Sequence, residues 1–427
     1  MNILIVGGGG REHAIAAALK KSPKVEKLYC APGNGGISRI AECFPVKATD
    51  LDGICALAQK LQPDYVFVAP DDPLVMGLVD RLNERGFKTF GPRANAAILE
   101  GSKAFSKGLM KKYNIPTAAY ETFTDADKAI AYIKAQNQYP AVIKCDGLAL
   151  GKGVIIAQNF EEAEDAVKSM MIDQKFGKSG SEVVIEEFMR GVEVTVLAFT
   201  DGKTVKPMIS SMDHKRALDN DEGLNTGGMG TIAPNPYYTK EIAEECMEKI
   251  FLPTIKAMSA EGRPFKGCLY FGLMLTSDGA KVVEYNCRFG DPETQVVLPL
   301  LETDFVDIIE AVDNETLENL DIKWSDNACA CVVMASGGYP EKYETGKEIL
   351  GLDENGQTSG AYVYHAGTKL EDSKFLTAGG RVLGVTATGE NLKAALGDAY
   401  KAVEKITFEK AHFRKDIGQK ALSCDKV

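Results

Sequence analysis

The chain has 427 residues, 45% of them hydrophobic and 26% charged, which is enough apolar side chain for more than one core and about three domains. Those proportions exclude wholesale disorder, collagen and disulfide scaffolds. With 49 Lys+Arg against 60 Asp+Glu the net charge is −11, which disfavours a surface built for nucleic acid or anionic lipid and leaves room only for a local basic pocket. The ten cysteines include no CxxC pair. His13, His214, His365 and His412 are scattered singly, so no zinc spacing is present. The start Met1-Asn2-Ile3-Leu4-Ile5-Val6 has no basic n-region or cleavage site, and no apolar run approaches membrane-spanning length. A reduced, soluble, cytoplasmic protein is expected.

In chain order, residues 3–6 read as a buried strand, 11–21 as a helix and 27–30 as a second strand. A helix over 51–61, a strand over 64–69, a helix over 74–84 and a short strand at 89–90 follow. Strands alternating with helices predict a parallel sheet covered on both faces, with ligands beyond the carboxyl ends of its strands. From about Thr117 the texture changes to a small hairpin-rich α+β module, with strands at 141–144, 154–157 and 183–187 and an acidic helix near 161–171. Strands at 193–200 and 206–210 precede a polar, glycine-bearing stretch over 213–236. A helix over 241–258 leads to strands at 267–276 and 281–286, joined by Ser277-Asp278-Gly279, a hairpin turn. After Trp324, strands at 328–335, 362–367 and 381–388 and a helix over 391–405 complete the chain.

Gly7-Gly8-Gly9-Gly10-Arg11-Glu12-His13 lies between a strand and a helix, where backbone N–H groups favour an anion. It is not a dinucleotide fingerprint. Counted from Gly7 or Gly8, the third glycine of Gly-x-Gly-x-x-Gly is Glu12 or His13, and Cys30-Ala31-Pro32 replaces the acidic end of the second strand. A tight turn and an anion site fit this segment equally. Lys144-Cys145-Asp146-Gly147-Leu148-Ala149-Leu150-Gly151-Lys152-Gly153-Val154 puts a lysine at a strand end and then a flexible loop. Such a hairpin can close over a polyphosphate, although it lacks the Walker A ending; a mobile hairpin is the alternative. Glu186-Glu187-Phe188-Met189 can offer backbone groups to an adenine edge and Glu193 a carboxylate to ribose, or the whole can be an acidic surface turn. In Glu284-Tyr285-Asn286-Cys287-Arg288, alternate residues share one strand face. A carboxylate and an amide oxygen suit Mg²⁺, and a guanidinium clamps phosphate. Asp213-His214-Lys215-Arg216 and Asn225-Thr226-Gly227-Gly228-Met229-Gly230 fit a pocket for an anion and an amine, or a solvated loop.

Taken together, in order and spacing, these stretches resemble the phosphoribosylamine–glycine ligase (glycinamide ribonucleotide synthetase) family of ATP-grasp enzymes. Glu100-Gly101-Ser102-Lys103, the 146–154 loop, Asp213–Arg216, Asn225–Gly230 and 284–295 carry the resemblance, which runs from Gly7 to Gly418. It implies an N-terminal α/β domain over 1–100, a central ATP-grasp domain over 101–118 and 191–325, a small lid over 119–190 and a mixed β/α C-terminal domain over 326–427. It implies ATP-dependent ligation of glycine to 5-phosphoribosylamine through glycyl phosphate, with Mg²⁺ or Mn²⁺; another ATP-grasp purine-pathway or carboxylating ligase is the alternative. By the same resemblance Glu284 and Asn286 hold metal, and Lys103, Lys144 and the loop Gly151, Lys152, Gly153 and Val154 hold nucleotide phosphates. Glu186, Glu187, Phe188 and Met189 form the adenine linker, and Glu193 is the ribose carboxylate. Arg288, Asp213 and Lys215 act at the reacting groups. Gly9, Asn34, Gly35, Gly36, Asp71, His214, Thr226, Gly227 and Gly228 meet substrates. No nucleic acid or membrane partner is implied, and a monomer or weak dimer is expected. The family usually has Glu where this chain has Asp71, and commonly Arg where it has Leu300, read here as a surface or substrate-contact position.

Overall fold

A computed structural model describes residues 1–148, 153–173, 175 and 177–424. The first hundred residues form a parallel sheet in the order Glu42–Cys43, Lys27–Pro32, Asn2–Gly7, Tyr65–Val68, Thr89–Phe90. Asn2–Gly7 lies in the middle, and Ile3 to Val6 are fully buried, which explains its unbroken apolar run. The chain builds to one side of this strand and then to the other, so a crevice opens beyond its carboxyl end. The single helix expected over 74–84 is two, Asp71–Val75 and Leu78–Glu84. Gly77 between them has φ 88°, a left-handed conformation that glycine adopts without strain and that no helix continues.

The central sheet is antiparallel, in the order Val205–Pro207, Val192–Asp201, Lys266–Thr276, Gly279–Asn286. Its last hairpin carries a bulge: Gly272 faces Glu284 and Leu273 faces Val282, so Val283 has no opposite residue. The helix expected over 241–258 is a helical run through Lys240–Cys246, Met247–Phe251 and Leu252–Ala260, its middle turn widened to a π-helix. Pro253 has no N–H for the carbonyl four residues back, and the turn relaxes beside it. The small module is a sheet of Tyr120–Phe123, Val183–Glu187, Ala141–Cys145 and Val154–Ala157, with helices Ala126–Gln136 and Phe160–Val167 and its own core of Ile133, Ile143, Met170 and Val183.

The last sheet draws on two distant parts of the chain. Ala328–Ala335, Arg381–Gly389 and Tyr362–His365 are extended by Gly230–Ala233 and Met212–Asp213. The polar stretch expected over 213–236 therefore supplies two strands here and the hairpin Arg216–Leu218/Glu222–Asn225. One core crosses these units. Phe289 lies 6.0 Å from Phe67 of the parallel sheet, 6.0 Å from Phe199 of the central sheet and 5.9 Å from Phe305, ring centre to ring centre. Leu300 is 1% exposed and joins this core, which corrects its reading as a surface or substrate-contact position.

His365 ties the first domain to the last. Its N–H donates to His13 Nδ1 at 2.8 Å, and its carbonyl accepts from Asn34 Nδ2 at 2.7 Å. Its ring nitrogens meet Thr368 Oγ1 at 3.0 Å and the Gly356 carbonyl at 2.8 Å. Burial pushes its pKa down to about 4, below the value of about 6.5 in an unfolded chain. The neutral ring therefore stabilises the fold fully above pH 6.5 and loses that contribution as the pH falls toward 4. In urea unfolding, the stability lost between pH 7.5 and pH 5 should be smaller in His365→Gln than in the parent by about 2 kcal/mol. An equal loss in both proteins would refute this.

Candidate active site

The parallel sheet, the central sheet, the small module and the last sheet enclose a cleft of about 940 Å³. Strand Gly279–Asn286 ends in it, presenting Glu284 and Asn286, and Arg288 turns back into the same space. Arg288 Nη2 lies 3.2 Å from Glu100 Oε1, 3.4 Å from Asn286 Oδ1 and 3.8 Å from Asp71 Oδ2. Glu100 Oε2 accepts the Cys287 N–H at 2.7 Å. Burial lifts the Glu100 carboxyl to about 7 against the pull of Arg288. Burial also works to raise Asp71, but Arg288 and Arg11 outweigh it and hold that carboxyl below its ordinary value. The balance at Glu284 is similar: burial raises it, while Lys215, Lys144, Lys103 and Arg288 together hold it ionised. Among the described residues, no hydrogen bond or ion pair within 4 Å engages the Glu284 carboxylate.

Helix Lys103–Lys112 starts at the cleft with Ser102 as its cap, Oγ accepting from Phe105 N at 3.0 Å. Asp146 Oδ1 takes the Ala104 N–H at 2.7 Å and Ser102 Oγ at 3.0 Å, and Lys103 Nζ donates to the Gly147 carbonyl at 3.0 Å. The small module's loop is thus stitched to this helix N-terminus. Glu186 lies buried between two lysines, its Oε2 at 3.0 Å from Lys107 Nζ and its Oε1 at 3.0 Å from Lys144 Nζ. Glu187 also lines the cleft; its carboxylate accepts the Ala119 N–H at 3.1 Å, and its own N–H donates to the Ala119 carbonyl at 2.9 Å. Phe188, Met189, Gly153 and Val154 line the cleft; Gly151 and Lys152 lie outside the described residues. Glu193 Oε2 pairs with Lys215 Nζ at 3.2 Å.

On the opposite wall burial and the charge of Glu293 push the Asp213 carboxyl up, and burial pushes Glu293 up as well. Tyr270 OH, 2.9 Å from Thr195 Oγ1, lines the same wall. Arg381 reaches in from the last sheet, donating through Nη1 to the carbonyls of Gly227 and Asp291 at 2.6 Å each. Tyr339 OH accepts the Gly227 N–H at 3.1 Å, and Thr226 Oγ1 donates to the Lys215 carbonyl at 2.8 Å. His214 lines the cleft, but its ring is engaged on both sides. Nδ1 meets the Gly230 carbonyl at 3.1 Å and Nε2 accepts the Gly418 N–H at 3.1 Å. These two bonds occupy both ring nitrogens, and burial lowers the ring's pKa to about 4.

The expected residues are thus brought together, with exceptions in the substrate group. Gly9, Asn34, Gly35 and Gly36 do not line the cleft. Asn34 and Gly35 bond His365 and Thr368 of the last domain, and a Cβ at Gly36 would lie 2.5 Å from the His365 ring. The glycine turn's expected anion is internal: Gly9 N–H donates to Glu12 Oε2 at 2.6 Å, and Arg11 N–H to Asp291 Oδ2 at 3.3 Å. Gly228 sits just behind the wall. Cleft residues not singled out from sequence include Lys107, Tyr270, Arg381 and Tyr339, whereas Glu293 lies in the 284–295 stretch. Lys107 lies one turn beyond Lys103, a spacing that puts both on one helix face. Arg381 and Tyr339 carry no local signal, because only the packing of the last domain brings them near.

Three family descriptions cover nearly all of the chain: the N domain of phosphoribosylglycinamide synthetase over residues 1–100, its ATP-grasp (A) domain over 101–294 and its C domain over 329–420. The chain belongs to the phosphoribosylglycinamide synthetase family. It is 48% identical to the phosphoribosylamine–glycine ligase of Caldanaerobacter subterraneus subsp. tengcongensis, over 98% of this chain and 99% of that one. Identity to the Clostridium acetobutylicum ligase is 46%, over 98% and 100% of the two chains. The crystal structure of the Thermotoga maritima ligase superimposes with TM-score 0.86 at 33% identity, over 98% of this chain and 100% of that one. A biotin carboxylase from Campylobacter jejuni, at 14% identity, TM-score 0.74 and 96% and 92% coverage, shares the fold alone.

In this family member the described residues contain no cluster of three or more His, Cys, Asp or Glu able to hold a metal ion. The oxygen donors of Glu284 and Asn286 remain. The first is ionised without a donor of its own, and the second accepts only the long Arg288 contact. Two hard oxygen ligands facing the cleft fit a divalent cation whose other positions are filled by phosphate and water. Gly228 closes the wall at φ 115°. A Cβ there would lie 2.5 Å from Pro292 Cδ and 2.6 Å from Asp213 Oδ1. Gly228→Ala should therefore lower the unfolding free energy by about 2 kcal/mol, read by denaturant titration; unchanged stability would show that the wall yields.

Proposed function

We propose that the chain ligates glycine to 5-phosphoribosylamine with ATP, giving glycinamide ribonucleotide, ADP and phosphate, as the second step of de novo purine synthesis in the cytoplasm. The observation that carries this reading is the charge arrangement of the cleft: Lys103, Lys144, Lys215 and Arg288 converge on one carboxylate, Glu284, which they hold ionised. Cations around an acidic metal ligand suit phosphoryl transfer, which needs alignment and charge neutralisation more than acid–base chemistry.

In the first step the glycine carboxylate attacks the γ-phosphorus of ATP, and ADP leaves. In the second the ribosylamine nitrogen attacks the carbonyl carbon of glycyl phosphate; phosphate leaves and the nitrogen gives up a proton. Lys103 and Lys144 bind the nucleotide phosphates, with the loop 151–154 closing over them as the module 119–190 acts as a lid. Glu186 to Met189 form the adenine linker, and Glu193 meets the ribose. Arg288, braced by Glu100 and Asp71, steadies the transferred phosphoryl group. Asp213 and Lys215 meet glycine or the ribosylamine, with Thr226, Gly227 and Gly228 behind them. Glu284 and Asn286 would hold Mg²⁺ or Mn²⁺, which neutralises phosphate charge when bound. Gly9, Asn34 to Gly36 and His214 act by holding the cleft's walls, since their polar groups are already paired within the protein.

ADP release from ATP and Mg²⁺ tests the reading, with glycine and ribosylamine omitted in turn. Full turnover should require both. Turnover without ribosylamine, or with bicarbonate replacing glycine, would overturn it. Glu284→Ala should lower turnover by about 10²–10³-fold without moving the melting temperature by more than a few degrees. Near-parental turnover at millimolar Mg²⁺ would remove Glu284 from the metal site.

A further inference from the structure

The nucleotide end of the cleft contains a closed polar ring that spans the junction between the small module and the central sheet. Lys107 Nζ on helix Lys103–Lys112 donates to Thr117 Oγ1 at 2.8 Å, and Thr117 Oγ1 donates to the Val282 carbonyl at 2.7 Å. Val283, the unpaired residue of the bulge, accepts from Lys144 Nζ at 3.3 Å. Lys144 and Lys107 then meet through Glu186, at 3.0 Å on each side. All three charged side chains are at most 6% exposed.

Two features of this ring point beyond structure. It holds two ammonium groups and one carboxylate, a net charge of +1 within the ring, and Lys144 also acts on the Glu284 carboxylate in the same cleft. Buried charge of one sign is costly unless an opposite charge arrives. Moreover Glu186 Oε1, although 3.0 Å from Lys144 Nζ, accepts no aligned hydrogen bond among the described residues. Lys144 Nζ donates to the Val283 carbonyl instead, and the residue lines a cleft large enough for a ligand.

We propose that Lys107 is a positioning residue for anion capture: by holding one side of Glu186 it keeps that carboxylate from neutralising Lys144, which stays available for a nucleotide phosphate. This rests on the reading of the cleft as a nucleotide site and adds to it a residue with no direct part in the reaction. Without Lys107, Glu186 and Lys144 form a neutral buried pair and Lys144 is withdrawn from the cleft. The groups facing Lys107 are Glu186, Lys144, Glu187, Thr117 and the Tyr120 ring, its centre 5.5 Å away. Burial lowers the Lys107 pKa to about 8, against the pull of Glu186. The +1 charge is therefore present at neutral pH and is lost as the pH rises through about 8.

Calorimetric titration of the full chain with ATP and Mg²⁺, without glycine, tests this. Lys107→Met should weaken ATP binding by about tenfold, the scale of one partly screened charge. Lys107→Arg should bind within about threefold of the parent and remove the weakening of affinity above pH 8, because a guanidinium stays charged. The double variant Lys107→Met/Glu186→Gln restores the +1 charge without restoring the lysine; because the adenine linker acts through its backbone groups, the Gln side chain leaves it in place, and affinity should recover to within about threefold of the parent. A role in packing alone predicts the opposite: the double variant binds as weakly as the single one or more so. That result, or parental affinity in Lys107→Met, overturns the proposal. Absence of ATP binding in the parent overturns both this inference and the nucleotide reading. Recovery in the double variant with no glycine-dependent ADP release in the parent keeps the inference and removes the ligase reading.

Discussion

Phe289 is the pivot of the molecule. Its ring is 1% exposed and packs against aromatic rings from the parallel sheet, the central sheet and helix Phe305–Asp313. Its carbonyl accepts from Arg11 Nη1 at 3.0 Å and from Arg288 Nη1 at 3.3 Å. Large buried rings contribute several kilocalories per mole through transfer from water and close packing, about 3–5 kcal/mol when deleted. The residues on either side, Arg288, Asp291 and Glu293, therefore face the cleft from a fixed platform. Because several units share this core, the cleft between them keeps its shape.

Charge organises what the core leaves open. Arg288 with Glu100 and Asp71, and Lys107 and Lys144 with Glu186, form largely buried pairs around the same space, and Lys215 with Glu193 an exposed one. Buried pairs are weak devices for stability, since desolvation offsets much of the attraction. Their value lies in placement: each cation is held by a protein carboxylate until a stronger anion competes for it. Glu284 is different, because four cations keep it ionised and no described residue bonds its carboxylate.

The small module has its own core and meets the rest through few, polar contacts. They include Asp146 on the cap of helix Lys103–Lys112, the Lys107–Glu186 pair and the Lys144 contact with the Val283 carbonyl. A domain attached through hydrogen bonds rather than a shared apolar interface can move as a unit. The chemistry proposed for the cleft needs the nucleotide to enter and water to be excluded afterwards.

The sequence by itself determined the local elements whose pattern is periodic or punctuated. Alternating strands and helices specified the parallel sheet, Ser277-Asp278-Gly279 the hairpin, and the two-residue spacing of Glu284 and Asn286 their common face, because these depend on neighbours in the chain. The order of the motifs was enough to place the chain in its family. Only the tertiary structure decided the rest. It moved Met212–Asp213 and Gly230–Ala233 into a sheet with Ala328–Ala335, since polar, glycine-rich strands pair through backbone that composition does not reveal. It turned Asn34 and Gly36 toward His365 and filled the N-terminal glycine turn with Glu12. It also brought Arg381 and Lys107 to the cleft. Burial and partner charge set the states of Glu100, Asp71, Lys107 and Glu284, and both are properties of the folded chain, invisible in an overall charge of −11.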